Sequence, residues 1–141
     1  MRRVFADTVY WLATANPNDQ WAVPAREAKE KLGDVFIVTT DEVLSEFATS
    51  MGKSAELRRT AAQIIRTILS NPNVKVVPQT RDGFLKGLER YESRLDKTYS
   101  LADCISMNVM KSENIHDVLT KDHHFEQEGF KVLIQKNARR T

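Results

Sequence analysis

The sequence of 141 residues predicts a single α/β domain, in which helices cover both faces of a central parallel sheet of about five strands. Short runs of β-branched and aromatic residues alternate with longer runs of helical period. Two of the short runs, "DVFIVTT" and "VKVVP", are mostly apolar, as strands covered on both faces are. Because no repeat or long linker interrupts this alternation, one domain is expected over residues 1–135, followed by a basic tail at 136–141.

The first half of the chain predicts two strands and four helices. "RRVFAD" is a short strand, "TVYWLAT" a helix that "NPND" ends, and "WAVPAREAKEKLG" a helix with Pro24 in its first turn and Gly33 at its end. The buried strand "DVFIVTT" precedes the helix "DEVLSEFATSM", for which Thr39 and Glu42 form a candidate capping box. "SAELRRTAAQIIRTILS" follows as a helix whose apolar residues recur at helical spacing.

The second half predicts three more strands. "VKVVP" is expected to be buried, and "RDGFLKGLERYESRL" is a helix. "SLADCISMNVMKSEN" is apolar nearly all round, so it predicts a buried helix that begins at a capping box of Ser100 and Asp103. "DVLT" and "KVLIQ" supply the last strands, with the short helix "HHFEQEG" between them.

Composition and charge exclude several classes of protein. Lys and Arg number 21 against 19 acidic residues, and this formal net charge of +2 identifies no partner. The single cysteine, Cys104, excludes an internal disulfide and suits a reducing compartment. The N-terminal stretch does not have the pattern of a signal peptide, and no apolar run approaches the roughly 18 residues that a membrane helix needs. A soluble cytoplasmic protein is therefore expected.

Four acidic residues are candidates for a functional site. Ligands of parallel sheets bind beyond the carboxyl ends of the strands. Asp7 directly follows the first predicted strand, and Asp122 comes two residues after "DVLT". Asp103 lies in the first turn of the buried helix, and Glu46 lies at the edge of an apolar helix stripe. Helix or turn capping is the structural alternative for the three aspartates, and a solvated position is the alternative for Glu46.

The chemistry of the four acids follows from their type if they converge. Carboxylate-rich oxygen sites select hard cations such as Mg²⁺ or Mn²⁺. Such ions activate water and neutralise the charge that develops on a phosphodiester during displacement. Sequence spacing alone does not establish the convergence.

Other chemistries fit the sequence less well. His123 and His124 are adjacent, but no third His or Cys lies at zinc-ligand spacing, which favours turn packing and hydrogen bonding for the pair. Cys104 has no identifiable general base, so it is not expected to act as a nucleophile. Hydrolases that form an aspartyl-phosphate usually have a second aspartate two residues after the first, where this chain has Val9.

The stretches "FADT", "VLSEF", "YSLADCISM" and "LTKDHHFEQEGF" resemble PIN domains, and more narrowly the VapC-type toxins of bacterial and archaeal toxin–antitoxin pairs. The resemblance covers almost the whole chain and implies a three-layer PIN-like α/β/α sandwich. It also implies an endoribonuclease that depends on Mg²⁺ or Mn²⁺ and hydrolyses RNA with metal-activated water. The family's catalytic and metal-binding acids fall on Asp7, Glu46, Asp103 and Asp122. Supporting hydroxyl groups are expected at Thr8, Ser100 and Thr120.

Partners are also implied by this resemblance. A VapB-like antitoxin would cover the acidic groove, and family members commonly form homodimers. Aromatic side chains are candidates for such contacts, although core packing explains them equally well: Tyr10, Trp11 and Trp21. Basic residues on one helix are candidates for binding RNA phosphates, with a solvated helix face as the alternative: Arg58, Arg59 and Arg66. The alternative function is a catalytically silent PIN-like module that binds RNA or a protein.

Overall fold

The computed structural model describes residues 1–136, whose centre is a five-stranded sheet with the strand order β3-β2-β1-β4-β5. Every neighbouring pair of strands is parallel. The strands are β1 (Arg2–Ala6), β2 (Val35–Thr40), β3 (Val74–Val77), β4 (Asp117–Leu119) and β5 (Lys131–Val132). The predicted tail lies outside this range except for Lys136, so the expectation of a basic tail with Arg139 and Arg140 concerns residues that the structure does not describe.

Seven helices within residues 1–136 flank the sheet. They are α1 (Thr8–Ala15), α2 (Ala22–Leu32), α3 (Asp41–Met51), α4 (Ala55–Ser70), α5 (Arg81–Ser93), α6 (Leu101–Ser112) and α7 (His124–Gln127). The predicted α/β/α sandwich with about five parallel strands is thus confirmed. None of the helices in the described range has the length and apolar character needed to cross a membrane.

The strand order reverses beside β1. The chain builds β1, β2 and β3 outward in one direction and then returns to place β4 on the other side of β1. The backbone N–H of Asp7 donates to the carbonyl oxygen of Leu119 at 3.2 Å, so the carboxyl ends of β1 and β4 lie side by side. Ligands of open parallel sheets bind at such a reversal.

The core is built around β1 and the helices that pack on it. Val4, Phe5 and Ala6 have no exposed surface. The largest fully buried side chains also include Phe47 of α3 and Met107 of α6. Burying a side chain of this size contributes about 1.5–3 kcal/mol to folding, so the carboxyl end of β1 is held by a rigid core.

The expectation that "VKVVP" forms a buried strand is wrong. It forms β3, which is the edge strand of the sheet, and most of its residues are only half-buried. Lys75 is exposed, and its amino group lies 2.7 Å from a carboxylate oxygen of Glu113. A lysine on an edge strand discourages pairing with another chain, because its charge would have to be desolvated.

The predicted capping box of Thr39 and Glu42 is also wrong. The N-cap of α3 is Thr40, whose hydroxyl oxygen accepts a hydrogen bond from the backbone N–H of Val43 at 3.0 Å. Thr39 is a fully buried residue of β2, and its hydroxyl donates to the carbonyl oxygen of Ala6 at 2.9 Å. The helix therefore has its N-cap one residue later than the predicted capping box placed it.

Gly87 allows α5 and α6 to approach each other closely. A Cβ atom at this position would lie 2.5 Å from Cγ1 of Ile105, which is well inside van der Waals contact. We expect Gly87→Ala to lower the free energy of unfolding by about 1–2 kcal/mol, although alanine is the better helix former. Urea unfolding measures this change.

A double-mutant cycle with Ile105→Ala tests the cause of that loss. In the Ile105→Ala background the clashing atom is absent, so Gly87→Ala should become neutral or stabilising. Equal destabilisation in both backgrounds would show that the Ile105 contact is not responsible.

A carboxylate cluster at the carboxyl edge of the sheet

Asp7 is a buried carboxylate between β1 and α1. It is only 7% exposed, and although Asp7 is the N-cap residue of α1, its side chain does not make the usual N-cap hydrogen bond to the second or third residue of the helix. The hydroxyl of Thr120 donates to Oδ2 of Asp7 at 2.9 Å. The pKa of Asp7 is raised to about 7, chiefly by burial and in addition by the negative charges of Asp103 and Glu46, against the opposing hydrogen bonds from the backbone N–H of Thr8 and the hydroxyl of Thr120.

Glu46 reaches the same edge of the sheet from α3. The hydroxyl of Thr8 donates to Oε1 of Glu46 at 3.3 Å, so Thr8 links the start of α1 to this carboxylate. Although much of the residue is exposed, desolvation of the carboxyl group raises its pKa, and the charge of Asp103 raises it further. Glu46 is therefore directed toward the other acids, which a purely solvated position does not explain.

Asp103 caps α6 and belongs to the cluster at the same time. Its Oδ2 accepts the backbone N–H of Ser100 at 3.1 Å, and its own N–H donates to the Ser100 hydroxyl oxygen at 3.0 Å, which completes the predicted capping box. Its charge raises the pKa of both Asp7 and Glu46. The capping box thus fixes the start of α6 so that the Asp103 carboxylate lies near two others.

Asp122 lies in the turn after β4. Its backbone N–H donates to the hydroxyl oxygen of Thr120 at 3.2 Å, so Thr120 contacts both Asp7 and Asp122. Its Oδ1 accepts the backbone N–H of His124 at 3.0 Å, which is the turn-capping role considered from the sequence. Potential ligand atoms of Asp103, Asp122 and His124 all lie within 4.8 Å of one another.

His124 is a member of the cluster that the sequence did not identify. Its Nδ1 lies 3.2 Å from Oδ1 of Asp122 and 3.4 Å from Oδ2 of Asp103. His123 instead points to solvent, with 74% of its side chain exposed, and contacts Glu126. The only sequence signal for His124 was its position two residues after Asp122, and this position does not distinguish it from packing in the turn.

The cluster could bind a metal ion. In the described part of the chain, no Lys or Arg forms a salt bridge with Asp7, Glu46, Asp103 or Asp122. Close carboxylates without a cation repel one another, and this repulsion adds to the burial that mainly raises the pKa of Asp7. The donor atoms are mainly carboxylate oxygens, which fit a hard divalent cation.

The aromatic candidates for protein contacts are mostly core residues. Tyr10 and Trp11 are 6% and 7% exposed, so the interpretation as exposed contact residues is wrong for both. The indole N–H of Trp11 donates to the Thr39 hydroxyl oxygen at 3.3 Å. Trp21 is half-buried, with the amino group of Lys136 4.7 Å from its ring centroid.

The basic candidates for RNA contacts lie on α4. Arg58, Arg59 and Arg66 are all exposed. Arg58 donates weakly to the carbonyl oxygen of Gly52 at 3.4 Å. Exposure leaves these guanidinium groups available to a phosphate, and an RNA-binding role for them stays a prediction.

Comparison with known proteins shows the fold at the level of three-dimensional structure. No model of a known protein family matches the chain, and no curated protein matches it significantly. VapC20 of Mycobacterium tuberculosis, a toxin that cleaves the sarcin–ricin loop, superimposes with a TM-score of 0.80 at 24% identity, over 90% of this chain and 95% of that one. The chain therefore shares its fold with VapC20, which confirms the PIN-like resemblance at the level of the fold.

Two further solved structures share this fold. VapBC2 of Rickettsia felis, bound to a DNA fragment from its promoter, has a TM-score of 0.66 at 15% identity and covers 92% of this chain and 96% of that one. FitAcB of Neisseria gonorrhoeae has a TM-score of 0.63 at 14% identity with the same coverage of 92% and 96%. Both likenesses extend over nearly the entire chain.

Proposed function

We propose that this protein is a metal-dependent endoribonuclease and the toxin of a VapBC-type toxin–antitoxin pair. The observation that carries the proposal is the buried Asp7, whose pKa of about 7 reflects burial beside two further carboxylates at the strand-order reversal. A buried acid of this kind without a cationic partner is stabilised by a bound cation. The fold shared with VapC20 supports cleavage of RNA as the reaction.

Four carboxylates would hold the ion in this proposal, and Mg²⁺ or Mn²⁺ is the expected metal because the donors are oxygens. They are Asp7, Glu46, Asp103 and Asp122. When bound, the ion supplies an activated water and neutralises charge that develops on the phosphodiester. Hydrolysis is expected to leave a 5′-phosphate and a 3′-hydroxyl, without a covalent intermediate on the protein.

The neighbouring hydroxyl groups set the positions of these acids. Thr120 donates to Asp7, and Thr8 donates to Glu46. Ser100 holds Asp103 at the start of α6, because its backbone N–H donates to the Asp103 carboxylate and its hydroxyl oxygen accepts the Asp103 N–H. We therefore assign Thr8, Ser100 and Thr120 as supporting residues that orient the carboxylates.

RNA is the proposed substrate, and its phosphates need cations to hold them. Arg58, Arg59 and Arg66 are the proposed sites of such contacts, because they are exposed on α4, which is adjacent in sequence to the helix that carries Glu46. An RNA that contains the sarcin–ricin loop is the first substrate to test, because VapC20 cleaves that loop. A cytoplasmic location follows from this substrate.

The proposed protein partners are a VapB-like antitoxin and a second copy of the chain. VapBC2 and FitAcB, which share the fold, support the first of these. With Tyr10 and Trp11 buried, an exposed apolar surface lies on α5, where Phe84, Leu88 and Tyr91 recur at helical spacing. Light scattering of the purified protein measures the homodimer directly.

The function is tested with antitoxin-free protein, RNA and either Mg²⁺ or Mn²⁺. We expect cleavage that EDTA abolishes and that Asp122→Asn reduces by on the order of a hundredfold or more, because a lost ligand weakens metal binding. The matched control is Asp82→Asn, an aspartate on α5 whose side chain is 75% exposed. It should cleave as the wild type does.

Two other results would change the assignment. Full activity of Asp122→Asn, with activity lost in Asp103→Asn, would reduce the site to three acids and leave Asp122 as a turn residue. Binding of several RNA types without turnover in either metal would favour the catalytically silent binding module.

A further inference from the structure

We propose that His124 is a positioning residue of the carboxylate cluster, and that its Nδ1–H bridges Asp103 and Asp122 so that both carboxylates are held where the metal ion binds. The inference deepens the proposed function and rests on it, because it takes these two acids as metal ligands. His124 itself is not assigned as a ligand or as a group that reacts.

The hydrogen-bond partners of the imidazole define its tautomer. Nδ1 faces two carboxylate oxygens, at 3.2 Å on Asp122 and 3.4 Å on Asp103. Carboxylates only accept hydrogen bonds, so Nδ1 carries a hydrogen and donates. Nε2 lies 3.0 Å from the hydroxyl oxygen of Thr98, and this hydroxyl can donate to it when the ring is neutral.

The plane of the ring is fixed from a second direction. Tyr99 packs edge-on against His124 with 5.4 Å between the ring centroids and an interplanar angle of 61°. The Tyr99 hydroxyl donates to Oε2 of Glu128 at 3.0 Å, and Glu128 is in turn held by Arg90 and Arg94 at 2.8 and 3.0 Å. The imidazole therefore rests on an aromatic side chain that an ion-pair network immobilises.

Two groups of His124 hold the same atom of Asp122. The backbone N–H donates to Oδ1 at 3.0 Å, and Nδ1 lies 3.2 Å from that oxygen. Asp122 is in a turn, where a carboxylate without such partners samples several rotamers. Asp103 is fixed by its capping box, so the imidazole connects the turn residue Asp122 to a carboxylate that is already held in place.

This geometry distinguishes positioning from ligation. A ligand nitrogen must present a lone pair to the ion, whereas Nδ1 here presents its hydrogen to two oxygens. The remaining donors are carboxylate oxygens, which suit Mg²⁺ or Mn²⁺ without nitrogen. Asparagine can place an amide N–H close to the position of Nδ1, but glutamine places its amide closer to Nε2. The two substitutions therefore separate the roles of the ring nitrogens.

The test measures Mn²⁺ affinity by electron paramagnetic resonance titration of free Mn²⁺, without RNA. We expect His124→Ala and His124→Gln to weaken Mn²⁺ binding about 10- to 100-fold, as loss of a residue that orients metal ligands does. His124→Asn should retain most of the affinity, and Thr98→Val should weaken it by a smaller factor. The matched control, His123→Asn, changes the exposed neighbouring histidine and should bind Mn²⁺ as the wild type does.

Several outcomes would overturn the inference. Mn²⁺ affinity within twofold of wild type in a folded His124→Ala protein would remove the positioning role. Equal loss in His124→Asn and His124→Ala, or strong nitrogen hyperfine coupling in Mn²⁺-loaded wild type, would make His124 a ligand instead. If His124→Ala does not fold, as judged by circular dichroism, His124→Asn and Thr98→Val take its place. Retained Mn²⁺ affinity in His124→Asn together with a modest loss in Thr98→Val would support the positioning role, and a large loss in His124→Asn or no loss in Thr98→Val would overturn it.

The readouts also separate this inference from the proposed function. Wild-type protein that binds Mn²⁺ but cleaves no RNA would end the nuclease assignment, while the effect of His124→Ala on Mn²⁺ affinity would still be measurable. Wild-type cleavage together with unchanged Mn²⁺ affinity in His124→Ala would keep the nuclease and end the positioning role.

Discussion

Replacing Asp7 by asparagine is expected to stabilise the metal-free protein at pH 8 by up to about 4 kcal/mol. Burial raises the pKa of Asp7 from 3.8 to about 7, and a difference of this size corresponds to roughly 4 kcal/mol. Between these two pH values the folded state binds more protons than the unfolded state, so stability falls as the pH rises. Asparagine has no charge to bury and is not subject to this loss.

The measurement is chemical unfolding in EDTA at pH 5 and at pH 8. The excess in free energy of unfolding of Asp7→Asn over wild type should grow from pH 5 to pH 8 by about 2–3 kcal/mol. Most of the interval between the unfolded pKa of 3.8 and the folded pKa of about 7 lies above pH 5. Asp34→Asn, a change at an exposed aspartate, is the control and should show no such growth. An advantage that does not increase with pH would mean that the Asp7 carboxylate is not held in an unfavourable environment.

Metal ions should reverse this ranking. An ion that binds the folded wild-type protein stabilises it in proportion to the logarithm of the ion concentration over its dissociation constant. Asp7→Asn loses a proposed ligand, so Mg²⁺ or Mn²⁺ should stabilise it less and RNA cleavage should be lost. Higher stability combined with lost activity is the pattern expected where strain is retained for function.

Replacing Glu128 by glutamine is expected to destabilise the protein by roughly 3 kcal/mol, which is about 10 °C in melting temperature for a domain of this size. Only 9% of the Glu128 side chain is exposed, and 11% of that of Arg90, which lies 2.8 Å away. Glutamine keeps the volume but removes the charge, so the Arg90 guanidinium is left largely buried without its counter-ion. Thermal unfolding at pH 7 measures the effect.

The matched control for this variant is Glu126→Gln, which changes a more exposed glutamate on α7, the short helix that ends just before Glu128, and should cost less than about 0.5 kcal/mol. A double-mutant cycle with Arg90→Gln should show that the two losses are strongly non-additive. Independent, additive losses would contradict the ion pair as the cause.

The pH dependence of the Glu128 contribution has the opposite sign to that of Asp7. Hydrogen bonds from Arg94 lower the pKa of Glu128 below its usual value of 4.5. This contribution is complete above pH 4.5 and is lost as the pH falls through the lowered value. As the pH falls, the wild type should therefore lose stability relative to Glu128→Gln, whereas it should gain stability relative to Asp7→Asn because Asp7 becomes protonated in the folded state.

The order and type of the elements could be predicted from the sequence. Hydrophobic period and helix-stop residues are local signals. The alternation of strands and helices and the end of α2 at Gly33 could therefore be predicted from them. The capping box of Ser100 and Asp103 is local as well and was predicted correctly. The positions of Asp7 and Asp122 at strand ends followed from chain order alone.

The remaining features depend on contacts between distant segments. The edge position of β3 comes from the strand order, and the burial of Tyr10 and Trp11 comes from packing of α1 against the sheet and its neighbours. The His124 contact with Asp103 joins residues 21 positions apart, and its orientation depends on Thr98. A sequence pattern does not show which distant residues come into contact, so His124 could not be distinguished from His123.

The pairing of β1 with β4 also has a consequence during protein synthesis. The register places Phe5 beside Val118, so the sheet is completed by two segments that leave the ribosome more than a hundred residues apart. Until β4 emerges, one edge of the first strand has no partner, and Thr120 and Asp122 have not yet reached Asp7. A nascent chain therefore cannot assemble the four acids until the segment that carries Asp122 has left the ribosome, long after the first strand has emerged.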